Sequence, residues 1–210
     1  MISSLAISDA TLAFASIFSV FLMAQQKAFI RVHRASCTMA MYGFLLIATA
    51  AILGCLRYGF SSYWAASHDL ATGIATFLAP PIVGAALCLG LLLKSWSKTV
   101  WAGGIVLVCM LYGISDWFGV ERFYRDAELA IALVLTLYCI LRSQMNYGPK
   151  LMILSAIASY FIGGLIIGNQ GTLLGYLRLD LFRYFMGLGN LLLSSGMYLA
   201  FRVVYPQPEH

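Results

Sequence analysis

Apolar residues run along this chain in seven stretches, near residues 6–24, 35–56, 69–93, 99–118, 126–141, 151–168 and 181–204, joined by short polar connections. A helix needs about twenty such residues to cross a bilayer, whereas a transmembrane strand needs about ten with strict alternation. No alternation of that kind is present. The pattern therefore predicts an all-α polytopic membrane protein, a single domain over residues 1–210 folded as one bundle of seven transmembrane helices. The fifth stretch is short unless it begins near Phe123, and Pro80-Pro81 near the middle of the third predicts a kink, because each proline removes a donor and clashes with the preceding turn. Met1 to Asp9 lacks the basic segment of a cleavable signal, so the first stretch is expected to be retained.

Composition strengthens this reading. Hydrophobic residues make up 61% of the chain and charged residues 10%, against about a quarter charged in a soluble domain. The five cysteines, Cys37, Cys55, Cys88, Cys109 and Cys139, lie inside the apolar stretches without a C-x-x-C pair, which suits buried small hydrophobes better than disulfides or zinc ligands. No lysine sits mid-helix as a Schiff-base candidate, and no haem motif, Walker loop or dinucleotide fingerprint is present. The expectation is no cofactor.

The net charge of +5 does not call for a nucleic-acid partner, because its distribution explains it. Alternate connections assigned to opposite faces put Lys27, Arg31, Arg34, Lys94, Lys98, Arg142, Lys150 and Arg202 on one side. Arg57, Arg122, Arg125, Arg178 and Arg183 fall on the other. The positive-inside rule makes the first side cytoplasmic, with the N-terminus out and the C-terminus in. Asp9, Asp69, Asp116, Glu121, Asp126, Glu128 and Asp180 all fall outside, and only Glu209 is inside. Every outer cation is an arginine, the residue suited to bidentate, partly buried pairing with carboxylates. A paired Arg/Asp layer is expected there, with Trp64 and Trp117 at the outer boundary and Trp96 and Trp101 at the inner one.

Three outer stations stand at helix ends: Ser8-Asp9, Arg57-Tyr58-Gly59-Phe60, and Asp180-Leu181-Phe182-Arg183. With seven helices and an outer N-terminus, this layout resembles bacterial seven-helix relatives of the alkaline ceramidase and adiponectin-receptor superfamily, which implies an inner-membrane location. That superfamily is known for zinc-dependent hydrolysis of lipid amides. The resemblance implies a histidine at the end of helix two, an aspartate at the start of helix three and a histidine pair at the start of helix seven. Asp69 follows Tyr58 at a similar interval, but Tyr58, Leu179 and Arg183 stand where the histidines would be. Three protein ligands and an open position are usual for catalytic zinc. His68 is the one outer histidine, since His33 is cytoplasmic and His210 is in the tail. A degenerate scaffold without metal or catalytic residues is expected.

The candidate ligand-binding residues are Asp9, Arg57, Tyr58, His68, Asp69, Asp116, Asp180 and Arg183. For Arg57, Asp180 and Arg183 one reading is an anion site for a phospholipid headgroup or acyl carboxylate, with Asp180 orienting an arginine. The other, favoured here, is an ion-pair layer locking helices two and seven. Arg183 is expected to be buried against Asp180, Asp69 or Asp9, although for Asp9 capping of the first helix is preferred. His68-Asp69 reads as an exposed helix start rather than a proton-transfer pair. Asn190 suggests interhelical hydrogen bonding, and Gly163-Gly164 and Gly187-x-Gly189 suggest close packing. Three functions follow in order: binding of a membrane lipid or small amphiphile, service as an accessory subunit beside other membrane proteins, and a metal-dependent lipid amidase or esterase with a non-standard site around His68.

Overall fold

The structure, a computed structural model, describes residues 3–94, 96–168 and 170–202, with the side chains of Arg122 and Arg125 outside that description. Glu209, His210 and the expected end of helix seven at 203–204 also lie outside the described residues. The fold is all-α. Among the described residues there are seven α-helices: α1 (Ser4–Ala24), α2 (Arg34–Gly59), α3 (Ala65–Leu91), α4 (Lys98–Trp117), α5 (Glu121–Arg142), α6 (Tyr147–Phe161) and α7 (Arg178–Phe201). Five helical stretches, those containing α1, α2, α3, α4 and α6, are long and apolar enough to cross a membrane.

Local chemistry sets the helix ends. The Ser3 hydroxyl caps α1 by accepting from Ala6 N–H, and Ser97 does the same for α4 through Val100 N–H. The role expected of Asp9 is thus taken by Ser3, and Asp9 lies more than a turn inside α1. Similarly, α3 begins at Ala65, so His68 and Asp69 sit within its first turn or so rather than opening it. The third helix continues through Pro80 and Pro81, and α5 reaches back to Glu121 and gains full spanning length. The α6 helix widens into a π-helical stretch, Ile162–Ile167, and stops at Gly168 with φ +67°. Between it and α7 lies a minimal hairpin, β1 (Thr172–Leu173) with β2 (Tyr176–Leu177). Its two-residue loop, Leu174-Gly175, has positive φ at both positions, the backbone that fits the twist of a tight hairpin.

The helices alternate up and down. Packing is closest for α1 with α2 and α7, α2 with α3, and α6 with α7, while α5 lies along α3 and α4 is peripheral. The main apolar core fills the end where α1 finishes, with Met23, Phe29, Phe44, Leu87, Ile153, Met197 and Phe201 all buried. Close packing needs small residues there: a Cβ on Gly90 would overlap the Phe201 ring, and one on Gly196 would meet Ile153. Gly163, Gly187 and Gly189 close-pack against α7, α1 and Tyr160 as expected, whereas Gly164 faces open space. In the middle of the bundle Asn190 donates to Ser16 Oγ at 2.9 Å and accepts from Tyr160 Oη at 2.8 Å, joining α1, α6 and α7. Its interhelical role is as anticipated.

Candidate functional site

Four helix ends meet where α1, α3 and α7 begin and α2 finishes, here termed the acidic end. Burial there falls on residues that a membrane or a core disfavours unless they are paired. Asp9 is 2% exposed and Arg183 6%, and Arg183 Nε lies 2.9 Å from Asp9 Oδ1. The Nη1 of Arg183 donates to Leu5 O at 3.3 Å and to Ser8 Oγ at 3.4 Å. Ser8 Oγ in turn donates to Asp180 Oδ1 at 2.6 Å. Asp180 therefore meets Arg183 through Ser8 rather than directly, although the two share one face of α7. Asp180 lies in the first turn of α7.

Tyr58 binds this pair to the next one. The Arg183 guanidinium lies 5.3 Å from the Tyr58 ring centroid and that of Arg57 5.2 Å, so one aromatic ring sits against two cations. Arg57 pairs with Asp69, and both are far more open than the inner pair, with side chains 28% and 66% exposed. The expected lock between helices two and seven is thereby redrawn. The ion pairs tie α7 to α1 and α2 to α3, and Tyr58 stands between them.

His68 is buried rather than exposed as expected, with Nδ1 3.1 Å from Ala50 O and its ring edge-on to Tyr58. A carbonyl can only accept, so Nδ1 carries a hydrogen and donates it to Ala50 O. Gly54 makes this arrangement possible. A Cβ there would overlap the Asp9 carboxylate and reach the His68 ring, so the two meet over bare backbone. Asp9 Oδ2 is buried and has no hydrogen-bond partner among the described residues.

Seven of the eight sequence candidates, Asp9, Arg57, Tyr58, His68, Asp69, Asp180 and Arg183, come together in this cluster. Asp116 does not: it remains exposed on the peripheral α4. Two members, Ser8 and Gly54, were not among the candidates. Ser8 adjoins Asp9 in sequence, and Gly54 precedes Tyr58 by one turn of α2, but a serine and a glycine inside apolar helices carry no distinguishing mark.

The cluster does not fit a zinc ion. Among the described residues no three His, Cys, Asp or Glu side chains gather as ligands would. The guanidinium of Arg183, fixed against Asp9 and Ser8, already supplies the positive charge there and would repel a second cation. On the flank of α1 and α2 runs an open apolar groove of about 570 Å³, lined by Ala6, Ile7, Ala10, Thr11, Phe14, Cys55, Gly59 and Phe60. Comparison with family models, curated proteins and solved structures yields no match.

Proposed function

We propose that the chain is a non-catalytic integral membrane protein that binds a lipid or small amphiphile at its acidic end. It crosses the bilayer seven times, with the acidic end outside and the basic end in the cytoplasm of a bacterial inner membrane. The up-and-down alternation supports counting α5 and α7 with the five more apolar spans. A ceramidase-like scaffold belongs to the same proposal and rests on the helix layout and on Tyr58, Asp69 and Arg183 at the corresponding helix ends.

One observation carries the binding reading: the apolar groove reaches the last turn of α2, the turn that also bears the half-open Arg57–Asp69 pair. An acyl chain fits the groove, and Arg57 is the cation left accessible to an anionic head. Arg183 is fully engaged and builds the wall behind it. The test is lipid analysis of the protein purified in mild detergent, for the wild type and for Ala10→Trp, which fills the groove from an exposed position. Wild type is expected to retain one lipid class that Ala10→Trp loses. Equal retention by both, or none by the wild type, overturns the reading.

A further inference from the structure

The α5 helix carries a second buried acid, distant from the cluster and serving no role there. Both carboxylate oxygens of Glu128 are buried and without a hydrogen-bond partner among the described residues. A carboxylate removed from water with nothing to pair with is among the least favourable arrangements a protein can hold, and inside membrane helices such groups mark proton or ion sites. Among the described residues the titratable neighbours offer no countercharge; Arg122 and Arg125 of the same helix have side chains outside that description. Tyr124 lies one turn earlier on the same helix, with Cys109 nearby and Tyr112 against its ring. Glu121 and Asp126 of α5 are acids. On α3 the Cys88 thiol lies eight positions after Pro80, and His68 and Asp69 lie twelve and eleven positions before it, roughly 17 Å at the helical rise.

The facing helix offers something else. Gly84 of α3 lies against Ala132 of α5, and Cys88 meets Thr136, so the two helices run parallel and advance together, four residues at a time. One turn back, the same register sets Glu128 level with Pro80. Pro80 and Pro81 lack the N–H groups that would bond to the carbonyls of Thr76 and Phe77, so α3 has acceptors without donors at this level. A protonated carboxyl is a donor as well as an acceptor. It supplies what those carbonyls lack. A metal cation would need several further oxygens, and one carboxylate with two carbonyls is too small a set.

We propose that Glu128 is a proton-binding site in the α3/α5 seam, its carboxyl holding an exchangeable proton that bonds to a carbonyl freed by the proline pair. The proton is taken from water at the acidic end and returned to it, leaving the carboxylate behind. Release exposes an unpaired charge to the seam and loosens α5 from α3, so protonation is coupled to the packing of the outer helices. This site is independent of the groove.

Infrared difference spectroscopy of the full chain in lipid nanodiscs tests it, with wild type compared against Glu128→Gln. At neutral pH the wild type is expected to show one protonated-carboxyl stretch that Glu128→Gln lacks, that shifts in heavy water and that disappears reversibly as pH rises. The double variant Pro80→Ala with Pro81→Ala returns donors to both carbonyls and is expected to move that stretch to higher frequency. Ionised-carboxylate bands alone for Glu128 at neutral pH, as pairing with Arg125 would give, overturn the proposal. So does a stretch abolished by sodium at constant pH, which would make the site one for a metal cation. An unmoved stretch in the proline variant overturns the carbonyl partnership.

Discussion

The buried Asp9–Arg183 pair makes a quantitative prediction. Removing one partner of a buried ion pair leaves a charge in the interior with nothing opposite and costs about 3–5 kcal/mol. Arg183→Met should fall in that range, and its lost stacking on Tyr58 adds about 0.5–2 kcal/mol. Asp9→Asn leaves the guanidinium with only Leu5 O, Ser8 and the Tyr58 ring. The double variant removes both charges together and should lose little beyond the hydrogen bonds, about 1–2 kcal/mol. With the Tyr58 stacking loss common to Arg183→Met and the double variant, the two single costs together exceed the double cost by about 4 kcal/mol or more, beyond the usual coupling of residues in direct contact. For a chain of this size each kcal/mol moves the melting temperature by about 2–4 °C. Thermal unfolding in mild detergent should thus place the single variants well below wild type, with the double variant above Arg183→Met. Arg57→Ala is the control, since an exposed pair contributes about 0–1 kcal/mol. Costs that simply add, or an Arg57→Ala cost equal to that of Arg183→Met, would refute the distinction between a buried inner pair and an open outer one.

Two further outcomes follow from the packing. Gly54→Ala inserts a methyl group into the Asp9 carboxylate and His68 ring, and should lower stability by about 1–3 kcal/mol in the same melting assay, whereas Gly73→Ala, facing open space, should not. Asn190→Ala strands the Tyr160 hydroxyl and removes the donor to Ser16 Oγ, which keeps its own bond to Leu12 O, and should cost about 0.6–1.7 kcal/mol by the same melts.

What the sequence disclosed and what it withheld divide along a physical line. Helix positions were legible because each apolar stretch is bounded by charges and turns, and the gathering of arginines and aspartates at one end followed from simple alternation. Asp9 was named among the partners of Arg183 yet preferred as a cap, because an aspartate near a helix start usually does cap it. The true cap, Ser3, lies six residues earlier, and shifting the helix start turns Asp9 inward. His68 was misjudged for the same reason, since α3 begins a turn earlier at Ala65 and rotates it into the bundle. Asp116 shared the right end but belongs to a helix that packs at the periphery. Gly54 could not be seen at all, for its importance lies in what stands opposite it.

The parallel contact of the first and last helices has a consequence for assembly. Ser8 and Asp180 are 172 positions apart, so during synthesis from the N-terminus α1 emerges with Asp9 long before Arg183 exists. Until α7 is made, the first helix carries an acid whose permanent countercharge is still missing, and the bundle must stay open along that edge. Closure waits for the last helix. The buried Asp9–Arg183 pair therefore forms only once α7 is made, and a chain that stops short of α7 leaves Asp9 without its partner.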